Sequence, residues 1–431
     1  MKNLLFASLV LLSSFSFAQT RSILFIGNSY TYYNGGVDEM LKNIALAEGD
    51  TLYTESFTMG GAKFCDFCNN PETFERIRSR AWDYVVLQEQ SQLPAFPPAQ
   101  VEAECYPFAK QLCDSIHAND SCTQILFFMT WGRQNGDQTN CEFYEPLCTY
   151  EGMQQRLRES YVQMADDNNA IVVPVGLAWK YVRDNYSEIN LYQSDESHPT
   201  VEGTYLAAMS FYETILSNEE YSYVPENFEP FTALHLYLSV SRVMIDYKEE
   251  CNLNYLLYVK FKPMPMLCKD MMPNNRATIS ITADFDSCVC DFGNGISHTF
   301  LPNDEEVSND GIFVDFRTYL GDIPSELLNV CVTAYRGDCS VSDCEEFLYH
   351  YWQNSGIDSI GVDGFNFTNP VTNGKLQFDS DVTGNYEIFS LEGRLLDCGF
   401  VSGCEIDVSQ LKNGVYMIRI GEKTEKFVVN N

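Results

Sequence analysis

The stretch Ser22-Ile23-Leu24-Phe25-Ile26-Gly27-Asn28-Ser29-Tyr30-Thr31 runs four apolar residues into a polar turn. A continuous apolar run bounded by glycine reads as a strand buried on both faces. Gly27 permits a tight turn at its end, and that turn delivers Ser29. In an open doubly wound sheet, the carboxyl ends of the strands near the reversal of strand order form the ligand crevice. Serines after strands are also ordinary turn residues, so this stretch alone makes Ser29 only a candidate.

Working outward, the same alternation continues to about Glu250. Further strands are read at Thr51–Phe57, Asp83–Gln88, Gln124–Met129 and Ala170–Val175. Between them lie helical stretches at Val37–Ala47, Glu72–Ala81, Pro98–His117 and Met153–Asp167. In the last, Met153, Leu157, Tyr161 and Met164 recur at helical spacing and form a core-facing stripe. A helix over Val201–Leu216 follows Thr200 as its cap. Alternating strands and helices of these lengths imply a parallel sheet covered on both faces, an α/β doubly wound fold.

A serine hydroxyl needs a base, and the chain has five histidines. His298 and His350 fall in later modules, and His117 and His235 sit in helix-like stretches. His198 differs, because it stands in the loop Ser194-Asp195-Glu196-Ser197-His198-Pro199 before a capped helix. Pro199 restrains His198 to extended geometry. Asp195, three residues earlier, can fold back on a turn and accept the Nδ1–H bond, leaving Nε2 for the serine proton. A polar loop with a capping Asp is the alternative reading of the same residues.

The set of blocks resembles the SGNH (GDSL-like) hydrolase superfamily over about Ile23 to Leu216. The blocks are Gly27-Asn28-Ser29-Tyr30-Thr31 after the first strand, Met59-Gly60-Gly61 after the second, Leu87-Gln88-Glu89-Gln90-Ser91 after the third, and a late Asp195-x-x-His198-Pro199. The resemblance implies a flavodoxin-like sheet with Ser29 as nucleophile, His198 as general base and Asp195 as its orienter. It also implies an oxyanion hole made by the N–H groups of Ser29 and Gly61, with Gln90 standing where the family has an asparagine donor. A glutamine is one methylene longer, so its reach differs. If the extended geometry persists past Leu87, Gln88 and Gln90 share one side and Glu89 the other. Gln88 then braces the turn. Glu89 is expected to point away from the crevice or to pair with Arg133. Asn28 replaces an Asp that has no proton-transfer role in the family.

Two further modules follow. From Cys251 to about Trp352 helical periodicity vanishes, and Asp291-Phe292-Gly293-Asn294-Gly295 resembles the turn of PKD-type immunoglobulin-like domains. The last segment holds FTNPV (Phe367–Val371), GKLQF (Gly374–Phe378), YEIFSLEGR (Tyr386–Arg394) and DVSQLKNGVYMIR (Asp407–Arg419) in order. Its Asn-Gly pairs at Asn373-Gly374 and Asn413-Gly414 mark turns of a small sandwich. This order resembles the C-terminal sorting domain of the type IX secretion system of Bacteroidetes, which implies that machinery as a partner. The expected division is residues 1–18 signal peptide, 19–250 α/β domain, 251–354 β-rich module and 355–431 sorting domain, both later modules being small all-β sandwiches.

Lys2, the apolar stretch Leu4–Phe17 and the small-residue site Phe17-Ala18-Gln19 form a secretory signal. No later stretch reaches the ~18 apolar residues of a spanning helix. The net charge of −33 excludes nucleic acid and anionic membrane surfaces as natural partners. The 16 cysteines of an exported chain predict disulfides, Cys398 with Cys404 among them across a Gly399–Gly403 turn. Cys65-Asp-Phe-Cys68 lacks a second ligand pair, so no metal and no cofactor are expected.

The function these residues imply is a secreted serine esterase acting through an acyl-enzyme, with O-acetyl groups on polysaccharides as the candidate substrate. The alternative is a glycan-binding or adhesion protein without turnover. A lipase-like enzyme would need an apolar lid, and the loop between Trp131 and Cys148 is polar. Tyr30, Tyr32, Tyr33, Phe64 and Trp131 are candidates equally for stacking on sugars and for plain packing.

Overall fold

The computed structural model describes residues 20–216, 223–225, 228–263, 276–282, 284–308, 311–321, 326–349, 367, 369–371, 374–390, 395–420 and 423–429. The signal-peptide segment and His350 lie outside the described residues.

The first unit begins with β1 (Arg21–Gly27), the short helix α1 (Ser29–Tyr32), α2 (Val37–Ala47) and β2 (Leu52–Thr58). Then come α3 (Phe64–Cys68), α4 (Pro71–Arg78), β3 (Tyr84–Leu87), α5 (Pro98–Glu104), α6 (Tyr106–Asn119) and β4 (Gln124–Phe128). It closes with α7 (Tyr150–Asn168), β5 (Ile171–Val173), α8 (Val175–Asn185), α9 (Val201–Ile215) and α10 (Pro230–Asp246). The strands form a five-stranded parallel sheet in the order β2-β1-β3-β4-β5. The order reverses between β1 and β3, the place where an open parallel sheet carries its ligand crevice. Every residue of β1 is buried, as both-face coverage demands.

The starts of α7 and α9 have a local cause. Thr149 caps α7 by accepting from Gly152 N–H at 3.1 Å, and Thr200 caps α9 by accepting from Gly203 N–H at 3.2 Å. Met153, Leu157, Tyr161 and Met164 all face the core. The single helix expected over Pro98–His117 is instead two, broken at Cys105. Pro107 sits in the first turn of α6, where its ring is tolerated but cannot continue a preceding helix. Helices α3 and α8 have no counterpart in the sequence reading, and α10 is read there only as the helix-like stretch that holds His235.

The β-rich region holds β6 (Val259–Pro263), β7 (Arg276–Ile281), β8 (Ser287–Asp291), β9 (Ser297–Phe300), β10 (Val307–Ser308), β11 (Gly311–Asp315), α11 (Phe316–Leu320), β12 (Glu326–Arg336) and β13 (Cys339–Tyr349). Two antiparallel sheets, β10-β11-β7-β6 and β13-β12-β8-β9, enclose a core that includes Val259, Ile279, Cys290, Phe316 and Val332. The Asp291–Gly295 turn joins β8 to β9. Gly293 and Gly295 take φ of +78° and +85° there, and Gly293 N–H donates to Asp291 Oδ1 at 2.9 Å. The last unit is an antiparallel sheet ordered β15-β14-β16-β17, from β14 (Lys375–Ser390), β15 (Leu395–Asp407), β16 (Gly414–Ile420) and β17 (Lys423–Val429). Leu376, Ile388, Ile418 and Phe427 centre its separate core.

Three disulfides are present among the described residues, Cys122–Cys339, Cys141–Cys148 and Cys331–Cys344, the first joining the α/β unit to the β-rich one. Eight described cysteines stand unpaired, Cys404 among them. The expected Cys398–Cys404 bridge is therefore corrected. Both positions lie on the one strand β15, where six steps span about 20 Å, far beyond a disulfide's reach.

Candidate active site

Gly27 ends β1 in a crowded place. A Cβ there would stand 2.4 Å from Thr31 Oγ1 and 2.7 Å from Gln88 Oε1, so glycine is required for close approach rather than for its φ. The next residue, Asn28, is buried and joins three loops. Its Oδ1 caps α1 by accepting from Tyr30 N–H at 3.3 Å. Its Nδ2 donates to Ala62 O at 3.0 Å and to Glu89 O at 3.4 Å, and its backbone N–H donates to Gln88 Oε1 at 2.8 Å. Two carbonyls face this side chain, so an amide suits the position and a carboxylate does not.

Ser29, half-buried at the start of α1, meets the late loop. Its Oγ lies 2.8 Å from His198 Nε2, and His198 Nδ1 lies 2.5 Å from Asp195 Oδ2. The other carboxylate oxygen, Asp195 Oδ1, accepts from the backbone N–H groups of Ser197 at 3.0 Å and His198 at 2.9 Å. Burial alone would raise the Asp195 pKa. The bonds from the His198 ring and from these two N–H groups outweigh it and hold the carboxyl below its usual range. The intervening Glu196 takes φ +60°, which lets the chain fold back so quickly. Four ties hold this turn: Gln134 N–H donates to Glu196 O at 2.9 Å, Asn135 Nδ2 to Glu196 Oε2 at 2.9 Å and Trp131 Nε1 to Ser197 O at 3.0 Å, and the Tyr30 hydroxyl lies 2.8 Å from Ser197 Oγ. Asn34 Nδ2 adds to this, its two N–H groups shared among Pro199 O, Thr200 O and Thr204 Oγ1.

The structure thus brings Ser29, His198 and Asp195 into one hydrogen-bonded chain. The backbone N–H groups of Ser29 and Gly61 have no acceptor among the described residues. Gly61 takes φ +69°, a conformation that favours glycine, and it is exposed.

The loop after β3 runs alongside. Gln88 is fully buried; its Oε1 accepts from Asn28 N–H and from Thr31 Oγ1 at 3.0 Å, and its Nε2 donates to Glu89 O. Gln90 Oε1 accepts from the N–H groups of Gln92 and Leu93, and its Nε2 donates to Gln92 Oε1 at 3.0 Å.

Of the two courses expected for Glu89, pointing away from the crevice or pairing with Arg133, the pairing is not made. Glu89 lies fully buried and accepts from Phe64 N–H at 3.0 Å and Gln90 N–H at 2.6 Å, while Arg133 reaches Asp137 at 3.4 Å. Burial pushes the Glu89 carboxyl up to about 8, against the pull of these N–H groups, so it is chiefly neutral at pH 7. A neutral acid does not oppose negative charge in the crevice.

The aromatic candidates divide. Tyr30 stacks on Trp131 (4.4 Å between centroids) and Trp131 on Trp179 (3.8 Å), all buried with Phe64, so these four pack. Tyr33 stacks on His198 at 4.3 Å, and Tyr32 is exposed beside Gly60. Sequence reasoning assigned Tyr33 no role toward the histidine; its one signal is an aromatic run next to the candidate nucleophile.

Among the described residues no cluster of His, Cys, Asp or Glu is arranged to hold a metal ion, and no helix is long and apolar enough to cross a membrane.

No curated protein matches the chain. Among solved structures it is similar to a DUF4886 family protein from Bacteroides uniformis, at 18% identity and TM-score 0.47 over 52% of this chain and 95% of that one. It is also similar to a putative SGNH hydrolase from Slackia heliotrinireducens, at 26% identity and TM-score 0.37 over 45% and 98% of the two chains. A third is an acetyl xylan esterase from Geobacillus stearothermophilus, at 17% identity and TM-score 0.33 over 45% and 93%. The chain's other likeness is to a family model and lies at its end: residues 367–430 match the secretion system C-terminal sorting domain.

Proposed function

We propose that the chain is a secreted serine esterase that hydrolyses carboxylic esters through an acyl-enzyme on Ser29. The observation that carries this reading is the hydrogen-bonded chain Ser29 Oγ, His198 Nε2, His198 Nδ1, Asp195 Oδ2. Ser29 Oγ attacks the ester carbonyl carbon as its proton passes to His198 Nε2, and the carbonyl electron pair moves onto oxygen. The N–H groups of Ser29 and Gly61, with one N–H of Gln90, receive that oxyanion. Asp195 holds the imidazole tautomer and stabilises the imidazolium. Collapse expels the alkoxide, which takes the proton from His198. Water then attacks the acyl-enzyme with His198 as base, and collapse of the second tetrahedral adduct frees the acid and Ser29.

O-acetyl groups on polysaccharides are the substrate class proposed, since a secretion-system tail suits an enzyme acting on material outside the cell, and a solved structure to which the chain is similar is an acetyl xylan esterase. The domain plan that goes with this reading is residues 1–18 as signal peptide, 19–250 as hydrolase, 251–354 as β-rich module and 355–431 as a type IX sorting tail that carries the protein to the cell surface or beyond. Release of acetate from acetylated xylan and from a chromogenic short-chain acetate tests it. Binding of the glycan without release of acetate would favour the non-catalytic alternative.

A further inference from the structure

Gln90 is an unusual candidate for a side-chain oxyanion donor, because its extra rotatable bond must be frozen before the amide can act. Here it is frozen from both ends. Gln92 N–H and Leu93 N–H donate to Oε1 at 2.8 and 3.0 Å, which fixes which end of the amide is oxygen. One N–H of Nε2 goes to Gln92 Oε1 at 3.0 Å, and the amide's second N–H has no partner among the described residues.

The restraint continues one residue further. Gln92 Nε2 donates to Asp137 Oδ2 at 2.6 Å. Asp137 is completely buried and is itself immobilised by Asn140 Nδ2 at 2.6 Å, Thr139 N–H at 3.2 Å and Arg133 Nη1 at 3.4 Å. Its own N–H donates to Leu147 O at 2.7 Å, beside a loop closed by the Cys141–Cys148 disulfide. A buried carboxylate with this many donors is a fixed acceptor, and charge-assisted bonds are the strong ones.

We infer that Asp137, acting through Gln92, is a positioning residue that holds the Gln90 amide ready as the side-chain donor of the oxyanion hole. The relay Asp137–Gln92–Gln90 ties the loop after β4 to the loop after β3, and it compensates for a donor one methylene longer than asparagine. This rests on the esterase reading above and on Gln90 as the donor.

The test is steady-state kinetics on a chromogenic acetate for Gln90→Ala, Gln92→Leu and Asp137→Ala, alone and combined with Gln90→Ala. Gln92→Leu and Asp137→Ala should each lower kcat by ~10-fold with KM within about twofold, and neither should lower kcat further once Gln90 is alanine. Gln92→Leu leaves the bonds of Asp137 to Asn140 and Thr139 intact, so it reports positioning without disturbing that loop. Losses that multiply in the Gln90→Ala background, or a rise in KM at unchanged kcat, overturn the relay. Full activity in Gln92→Leu, with Ser29 still labelled by a fluorophosphonate, overturns the relay alone. A wild-type protein that is neither active nor labelled overturns the esterase reading and the relay together.

Discussion

Tyr33 lies face to face with His198, ring centroids 4.3 Å apart and planes within 15°. The imidazole is therefore held by Asp195 at one nitrogen and by an aromatic surface across its plane. A ring face also attracts a cation, so the same contact would favour the imidazolium of the proposed acyl transfer, by about 0.5–2 kcal/mol. Tyr33→Leu should lower kcat on a chromogenic acetate by ~3–30-fold with KM little changed. An unchanged kcat would leave the stack as packing only.

Asn28 ties three loops through one amide, and the sign of a substitution follows. Asn28→Asp places a carboxylate against Ala62 O and Glu89 O, neither of which can donate to it. The cost expected is ~1–3 kcal/mol of stability, read as a lowered denaturation midpoint, with kcat falling as the Gly61 loop loses its anchor. Asn28→Asp with wild-type stability and kcat would mean that the loops are held by other contacts.

Glu89 makes a prediction about pH. Its folded pKa of about 8 exceeds the ordinary value of 4.5, so the folded state holds the proton more tightly. The stability this contributes is fully present below pH 4.5 and is lost as pH rises through 8. Glu89→Gln keeps an acceptor for Phe64 and Gln90 N–H and removes the titration. Thermal melting from pH 5 to 9 should therefore decline more steeply in the wild type than in Glu89→Gln. Parallel curves would contradict the buried neutral acid.

The fold was legible in residues whose meaning is local. The apolar run Ile23–Ile26, the Thr200 cap and the Asp195-x-x-His198-Pro199 turn each carry their structure within a few positions, and they locate the sheet and the candidate site. What was hidden depends on segments distant in the chain. Glu89 reads as a charge turned from the crevice or paired with Arg133 until Phe64 N–H is brought over it, and Tyr33 reads as one more aromatic until His198 arrives from the late loop. Cys398 and Cys404 flank Gly399 and Gly403, which suggests a turn, but pairing with β14 keeps the segment extended and the two positions far apart. The break at Cys105 needed only Pro107 to be weighed against continued periodicity.

The C-terminal sheet has its own core, apart from that of the α/β unit. Deleting Ile357–Asn431 should leave kcat/KM on the acetate within about twofold. In the native host it should stop the protein short of the cell surface. Normal export of the truncated protein would contradict a sorting role for residues 367–430.

The central claim is that Ser29 forms a covalent acyl intermediate with His198 as its base. The most direct measurement is hydrolysis of a chromogenic short-chain acetate by wild type and Ser29→Ala, with mass-spectrometric localisation of a fluorophosphonate adduct. The account predicts an adduct on Ser29 and a loss of ~10³-fold or more in kcat for Ser29→Ala with melting behaviour unchanged. Full activity in Ser29→Ala, or an adduct on any other residue, would contradict it.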